Sequence, residues 1–500
     1  MRDTLKVSIA TVASVVFAAA ACGAEAPASV LGQCRQVFGD LRPHVTLERK
    51  EGDWQVSHVF FGHYNPSDID LRKLAGLATV ESVFIFPGWS GSGSITADGI
   101  RSLGALKHLR QLGVMLNLPE GVLKSVGSLR GLEELDLEYC EGIKDADLVF
   151  LRDLPKLRRL KLNHAGLTNG ALAFLRPLRN LEELELGSNY ITDAGVAQLE
   201  GMGNLRSFKC DGLTAASLAA MKGLPRLEEL VLHGRPADLS SWGSLRSVDM
   251  DDLGNSAESG IRLPQNLERL SLSISRKGEA PGLQRLPRHL RSITIRIELS
   301  PDASVDLKWL SLLPDLVELD LENATDNVVS EISGLKSVRT LTLHQSICVV
   351  PLGDDSMKRI GEMRRLESLE ITQSSLTNAG MRQLRNLTEL RVLKLSGLKE
   401  VSDRGFACLR EMKSLRALTL ADLSVPADDI IAQLQGLDAL EELSINGARL
   451  TDTGLKKLAD LKKLRCLDLT YTHGYTDVAL AALMQALPDL HTVRRSYEPR

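Results

Sequence analysis

Residue types that could carry chemistry are spread along this 500-residue chain without any familiar catalytic spacing. The sequence has no G-x-S-x-G nucleophile turn, no H-E-x-x-H zinc helix and no phosphate-binding P-loop. His164, His233 and His344 each follow a predicted strand, but no companion residue would complete a ligand or acid–base set. We therefore predict no catalytic residue, no metal site, no cofactor and no enzymatic activity.

Cysteines give no sign of metal or disulfide chemistry either. None of the seven forms a C-x-x-C pair, and all lie far apart in sequence. Apart from Cys22, we expect them to be buried thiols that act as small apolar groups. These six are Cys34, Cys140, Cys210, Cys348, Cys408 and Cys466.

Acidic residues gather in a limited part of the chain, where small hydroxylic residues also cluster. They alternate with apolar residues in predicted strands, so their side chains should share one face. We predict that this face binds a basic protein, while a solvated acidic surface is the plainer alternative. Aromatic anchors, which dominate many interfaces, are scarce there. The candidate partner-binding residues are Asp249, Asp251, Glu318, Asp320, Glu322 and Glu370.

The first residues predict export. Arg2 and Lys6 precede an uncharged run from Val7 to Ala21, which is typical of a signal peptide and short for a membrane span. The run ends Ala19-Ala20-Ala21-Cys22, which resembles a bacterial lipobox with Ala19 in place of the usual Leu. Lipidation at Cys22 and ordinary cleavage after Ala21 both stay open.

A phrase of the form L-x-x-L-x-L recurs about nineteen times. The strands that it predicts must position the candidate acidic residues. Examples are LEELDL from Leu132, LEELEL from Leu181 and LRCLDL from Leu464. Successive phrases are 24 or 25 residues apart from Leu132 to Leu205 and from Leu366 to Leu464. Alternation within each phrase predicts a short strand with two leucines facing inward together.

A second signature lies between the phrases, as in ITDAGVAQL from Ile191 and LTDTGLKKL from Leu450. Thr beside Asp suits a helix N-cap, and the apolar spacing that follows gives the helix one buried stripe. Neither element can bury its apolar side alone, so the units must stack into a continuous core.

The phrase and the T-D-x-G-L turn resemble leucine-rich-repeat proteins of the ribonuclease-inhibitor-like class. With the segment from Gly32 to Glu51, they are similar to the exported repeat proteins of planctomycete-type bacteria. The resemblance covers residues 30–495. It implies an α/β solenoid with a curved parallel sheet on its concave side, and a binding role with no particular ligand.

Charge alternates in sign at the position after the first Leu of eight consecutive phrases. Stacked strands place these residues next to one another, so we predict a ladder of opposite charges; a charged recognition stripe is the functional alternative. The residues are Glu133, Arg158, Glu182, Arg206, Glu228, Arg246, Glu268 and Arg291.

The repeats also predict the domain organisation. A signal peptide at 1–21 precedes a linker and cap at 22–55, the solenoid at 56–489, and a last strand with a tail at 490–500. Residues 233–310 lose the helical signature, so loops or extended backbone should replace helices there. We expect a protruding loop from Ser346, and terminal helices at 30–41 and 477–487 that cover the end repeats.

Composition excludes some partners. The net charge of −4 and the pI near 6.3 argue against nucleic acid, and a membrane would be met only through an N-terminal lipid. We predict an exported, monomeric, non-catalytic protein-binding scaffold in the periplasm, envelope or extracellular space. The alternatives are an envelope glycan-binding protein and an enzyme with its site in the irregular middle.

Overall fold

The computed structural model describes residues 27–38, 43–62, 66–86, 95–116, 118–233, 238–250, 262–274, 286–297, 305–346 and 351–496. Cys22, Asp251 and Cys348 lie outside these residues, as do the predicted signal and the chain's last four residues. None of the described helices is long and apolar enough to cross a bilayer.

A single curved sheet of 20 described strands runs through the whole molecule. The nineteen strands β2 to β20 are parallel, one for each predicted phrase, and they confirm the α/β solenoid. The strands are β1 (His44–Lys50), β2 (Asp53–Phe61), β3 (Ser82–Ile85), β4 (Gln111–Val114), β5 (Glu134–Asp136), β6 (Arg159–Lys161), β7 (Glu183–Glu185), β8 (Ser207–Asp211), β9 (Glu229–His233), β10 (Ser247–Met250), β11 (Arg269–Ile274), β12 (Ser292–Ile297), β13 (Glu318–Glu322), β14 (Thr340–His344), β15 (Ser368–Ile371), β16 (Val392–Leu395), β17 (Ala417–Leu420), β18 (Glu442–Ile445), β19 (Cys466–Leu469) and β20 (Thr492–Ser496).

Short helices return the chain between strands. The α-helices are α1 (Pro27–Phe38), α2 (Asp68–Lys73), α3 (Ala97–Ser102), α4 (Leu123–Val126), α5 (Asp193–Val196), α6 (Ala215–Met221), α7 (Asp326–Ile332), α8 (Asp354–Ile360), α9 (Asn378–Met381), α10 (Asp403–Phe406), α11 (Ala427–Ile431), α12 (Asp452–Lys457) and α13 (Asp477–Ala486). The 3₁₀ helices are Leu74–Gly76, Leu103–Ala105, Asp145–Asp153, Asn169–Phe174, Ala197–Leu199, Lys308–Leu312, Arg382–Asn386, Ala407–Glu411 and Leu458–Asp460.

The core lies between the sheet and these helices. The second and third apolar residues of each phrase, such as Leu319 and Leu321, are buried because they point away from the concave face. Full burial of each such side chain contributes about 1.5–3 kcal/mol. Five cysteines also lie in the core as free thiols, as predicted: Cys34, Cys140, Cys210, Cys408 and Cys466.

A side-chain link at the turn joins many of the units to the next one. Asp354 accepts hydrogen bonds from the backbone N–H and hydroxyl of Thr377, one unit further on, at 2.9 and 2.6 Å. It also accepts from the N–H of Gly380 at 2.9 Å, where a Cβ would overlap the carboxylate. The glycine is therefore needed because the preceding unit's Asp packs against it.

The same link recurs along the convex side, although the sequence suggested only a cap within one helix. Its members are Asp68 with Thr96, Asp145 with Thr168, Asn169 with Thr192, Asp193 with Thr214, Asn378 with Ser402, Asp428 with Thr451, and Asp452 with Thr476.

The two ends of the sheet meet. β1 pairs antiparallel with β2 on one side and with β20 on the other, so the strands form a closed circuit. Behind them α1 packs against α13, and Asp477 accepts hydrogen bonds from Arg35 at 2.6 Å and Arg495 at 2.7 Å. The expected terminal helices thus exist, but they pack against each other and close the sheet.

The irregular segments differ partly from expectation. In the described parts of 233–310, extended strands and turns occur and the helical element is a 3₁₀ turn beginning at Lys308. The segment predicted to protrude is described at Ser346 and again from residue 351 onward. Its described part holds α8, and Asp354 at the start of that helix joins the convex links.

Candidate functional site

The outward positions of the strands make the concave face, and strand pairing sets their order around it. Asp249 lies beside Ser271, which is followed by Thr294, Asp320 and Thr342 on successive strands. The inward neighbours of these residues are buried leucines, isoleucines and a methionine, so the polar side chains must face the concavity.

The predicted acidic residues lie on this face, but basic side chains pair with several of them. Arg296, on β12, donates to both carboxylate oxygens of Asp249, at 2.9 and 2.5 Å, and its Nε lies 3.6 Å from Glu322. Glu370 lies 2.9 Å from Lys394. Sequence reasoning missed Arg296, although its alternation in SITIRI already places it on the same face as the acidic residues.

Asp320 differs from its neighbours because one carboxylate oxygen, Oδ1, is buried and has no hydrogen-bond partner among the residues that the structure describes. Burial raises the pKa of this carboxyl to about 6; His344 opposes the rise, and the charge of Glu322 adds to it. Glu318 and Glu322, two residues away on either side, share its face. This strand therefore carries a carboxylate oxygen that no described residue satisfies.

A second charged cluster, which we call the buried charge cluster, lies on β5 to β8. Its side chains are Asp136, Glu138, Lys161, Asn163, Glu185 and Lys209. Glu185 bridges Lys161 at 3.1 Å and Lys209 at 3.7 Å and accepts from Asn163 at 2.7 Å. Although burial opposes it, the two lysines hold the pKa of Glu185 below its usual value.

Asp136 behaves in the opposite way within this cluster. It is 2% exposed, and burial together with the nearby charge of Glu138 raises the pKa of its carboxyl to about 7. It accepts a hydrogen bond from the backbone N–H of Glu138, at 3.0 Å. Because the cluster is internally satisfied, we read it as a structural network on the concave face.

An aromatic cavity of about 310 Å³ opens on the concave face where the two ends of the sheet meet. Strands β1 to β4 contribute one side, and β18 to β20 contribute the other. A β-bulge in β2, between the pairs Thr46–His58 and Leu47–Val56, shifts the alternation there. His58 and Phe60 consequently face the cavity, while Val59 and Phe61 are buried.

Aromatic rings form the wall of this cavity. His44 contacts Phe60 edge-on, with ring centroids 5.7 Å apart, and Tyr471 at 4.7 Å. Phe84 lies over Gly113 on the next strand, where any Cβ would overlap its ring. The glycine therefore makes room for a flat aromatic side chain against the sheet.

Tyr471 has a left-handed backbone, with a φ of 59°. The turn after many strands repeats this conformation, and small or polar residues usually occupy it. Ser188, Asn323 and Asp422 are examples, with φ between 54° and 61°. Tyr139 shares the position, and its ring stacks on His164 at 4.5 Å. A tyrosine at this left-handed position carries a cost in conformational free energy. A comparison of equivalent positions in the repeats could have singled out both tyrosines from the sequence.

Comparison with known proteins agrees with the repeat pattern. The family model of a leucine-rich repeat matches residues 178–199 and 440–459. No functionally curated protein matches the sequence significantly. Solved structures align at low identity. An internalin of Listeria monocytogenes is 16% identical over 95% of this chain and 96% of its own, with a TM-score of 0.28.

Two further structures align similarly. A chain of the mouse RP105/MD-1 complex is 16% identical over 84% of this chain and 83% of its own, with a TM-score of 0.40. A leucine-rich-repeat protein of Leptospira interrogans is 16% identical over 84% and 91%, with a TM-score of 0.27. These scores carry no argument about partners. The two matched repeats, and the strand-and-turn unit that recurs around the sheet, give this chain the fold of a leucine-rich-repeat solenoid.

Proposed function

We propose that this protein is a non-catalytic, extracytoplasmic scaffold that binds a basic partner protein through the concave face of its sheet. The observation that carries the proposal is the carboxylate of Asp320, which has an unpartnered oxygen on that face and stands between Glu318 and Glu322. A buried acceptor without a donor costs free energy, and a Lys or Arg of a partner would satisfy it.

Charge pairing restricts the binding surface to part of the acidic stretch. Asp249 and Glu370 already have basic partners at 2.5–2.9 Å, so they would serve mainly as its edges. We place the centre of the interaction on β13. Export through the signal at 1–21, with or without a lipid at Cys22, would bring this surface into contact with envelope proteins.

Binding of a decalysine peptide, measured by titration calorimetry at low and moderate salt, tests the charge preference. We expect salt-sensitive binding that Glu318→Gln, Asp320→Asn and Glu322→Gln together weaken at least tenfold. The control carries the same charge change on the ladder, as Glu133→Gln, Glu182→Gln and Glu228→Gln, and should bind within about twofold of wild type.

Capture from an envelope extract then tests the biological partner. A retained basic protein that is lost with the β13 variant and kept with the ladder variant supports the proposal. Decalysine binding that is equally weak in both variants would contradict the placement on β13.

The raised pKa of Asp320 sets the pH dependence of binding. Since this carboxyl becomes charged as pH rises through about 6, affinity for the basic peptide should increase between pH 5 and pH 7. Asp320→Asn should remove most of that increase.

A further inference from the structure

The aromatic cavity at the meeting of the sheet's ends combines apolar rings with unsatisfied polar atoms. Ser82 is 1% exposed, and its hydroxyl oxygen has no hydrogen-bond partner among the described residues. His58 pairs with Ser82 on the neighbouring strand, and its Nδ1 has no partner in the described part of the chain either. Both residues line the cavity. Buried polar atoms normally have partners, so this cavity is built for a ligand that supplies them.

From this arrangement we infer that the cavity binds one neutral sugar residue of a glycan. A pyranose ring has an apolar C–H face, which would stack on the rings of Phe60, Phe84 and Tyr471. Its hydroxyl groups both donate and accept, so they would satisfy Ser82 and His58 in either histidine tautomer. The cavity volume of about 310 Å³ suits a small ligand.

Charge in the cavity favours a neutral ligand over an ionic one. Asp468 accepts hydrogen bonds from the backbone N–H of Thr470 at 2.9 Å and from its hydroxyl at 2.6 Å. The Asp468 carboxylate also lies 3.9 Å from the guanidinium of Arg494. These two charges compensate each other, and an ionic ligand would have to compete with that pair.

Polarity also distinguishes a sugar from an acyl chain. An acyl chain would fill the aromatic wall but leave Ser82 Oγ and His58 Nδ1 unsatisfied, at a cost in affinity. Asn446 and Thr470 add polar side chains to the lining on the β18–β19 side. The lining thus combines apolar rings with polar side chains, as a pyranose combines an apolar face with hydroxyl groups.

The position of the cavity makes it independent of the proposed protein-binding surface. Its lining comes from β1 to β4 and β18 to β20, and the acidic surface is centred on β13. Failure of one site therefore leaves the other testable. Binding of a glycan and of a basic protein would be two separable properties of the same sheet.

The test is saturation-transfer NMR of the full chain with neutral hexose and N-acetylhexosamine oligomers of one to four units, followed by calorimetry on any binder. We expect at least one neutral saccharide to bind. Tyr471→Asn should weaken it at least tenfold, and Phe60→Leu, which keeps an apolar side chain, should weaken it similarly.

Tyr139→Asn is the matched control, since it makes the same change at the equivalent left-handed position outside the cavity. It should bind within about twofold of wild type, as should the β13 variant. No binding of any neutral saccharide at millimolar concentration would overturn the inference. So would equal weakening by Tyr139→Asn, or cavity-dependent binding of the fluorescent fatty acid cis-parinaric acid in place of sugar.

Discussion

The meeting of the sheet's ends and the regular repeats from β13 to β19 hold their strands together by different means. In the repeats, leucines stack inside, and at several turns an Asp side chain binds the next unit's Thr, so neighbouring interfaces share the same kind of contact. At the closure, one antiparallel strand, a β-bulge and the ion pairs of Asp477 replace the repeated contacts.

The difference indicates where a specific binding site can form. The same stabilising contact occurs in several repeats, so the neighbours of an altered unit can still hold it in the sheet. The closure has one copy of each contact, and the aromatic cavity is assembled there from residues near both ends of the chain. Unlike the repeats, it should depend sharply on single residues.

The largest expected effect is at the closure. Asp477→Ala leaves the guanidinium of Arg495, which is 8% exposed, without its carboxylate. Removing one partner of such a pair typically costs about 3–5 kcal/mol. Equilibrium urea denaturation should show this loss, with Asp489→Ala, an exposed Asp near the same end, changing stability by no more than about 0.5 kcal/mol.

A loss for Asp477→Ala as small as for the control would mean that the closure adds nothing to stability. The wild-type contribution should also fade in acid. Arg495 and Arg35 outweigh burial and hold the pKa of Asp477 below its usual value. The stabilisation is therefore present above about pH 4 and is lost as pH falls through the lowered pKa.

The buried charge cluster predicts the opposite pH dependence. The pKa of Asp136 is raised to about 7, so its contribution to stability is present below about pH 4 and disappears as pH rises through 7. Relative to Asp136→Asn, the wild type should gain about 1–3 kcal/mol between pH 8 and pH 5. Parallel denaturation curves at these two pH values measure it. A difference independent of pH would show that Asp136 is ionised throughout.

Disturbing one convex link should lower the free energy of unfolding less than disturbing the closure does. In Gly380→Ala, the new methyl group overlaps Asp354, which three hydrogen bonds hold in place. Helix propensity offsets part of the clash, so we expect a net loss of about 1–2 kcal/mol of unfolding free energy. Gly203→Ala, where a Cβ meets nothing within 4 Å, should be nearly neutral. Equal effects at both glycines would contradict the packing role of the turn.

The charge ladder should give the smallest effect. Arg158 lies 2.7 Å from Glu182, as the alternating signs predicted, but both side chains are more than one third exposed. Arg158→Ala should therefore lower the unfolding free energy by only about 0.2–1 kcal/mol, and less at high salt. A loss above 2 kcal/mol would mean that the ladder stabilises the sheet more than exposed ion pairs normally do.

Sequence reasoning predicted the repeated part of this molecule well because its signals are local and periodic. The phrase fixed the strands, and sign alternation predicted pairs such as Arg206 with Glu228, found at 2.9 Å. It did not predict the closure, because the antiparallel pairing of His44–Lys50 with a strand more than 440 residues later has no local signature.

The candidate site was predicted only in part for the same reason. Asp320 and its neighbours follow from strand alternation, but their pairing with Arg296 depends on strand register. The aromatic cavity forms only where three features coincide: the bulge in β2, the glycine under Phe84 and the meeting of the two ends of the sheet. The sequence indicated scarce aromatic anchors along the acidic stretch, and the structure gathers several aromatic rings elsewhere, at the meeting of the two ends.

Cross-linking of β1 to β20 tests the closed sheet most directly. His44 and Ser496 are paired across these strands, within the Cα separation that a disulfide accepts. Mild oxidation of the His44→Cys/Ser496→Cys protein should form this disulfide as readily as Thr419→Cys/Ser444→Cys, a pair on neighbouring repeat strands. Peptide mapping would confirm it, with each single variant as control. Rapid cross-linking of the repeat pair while the 44–496 pair stays reduced would show an open sheet and contradict the closure.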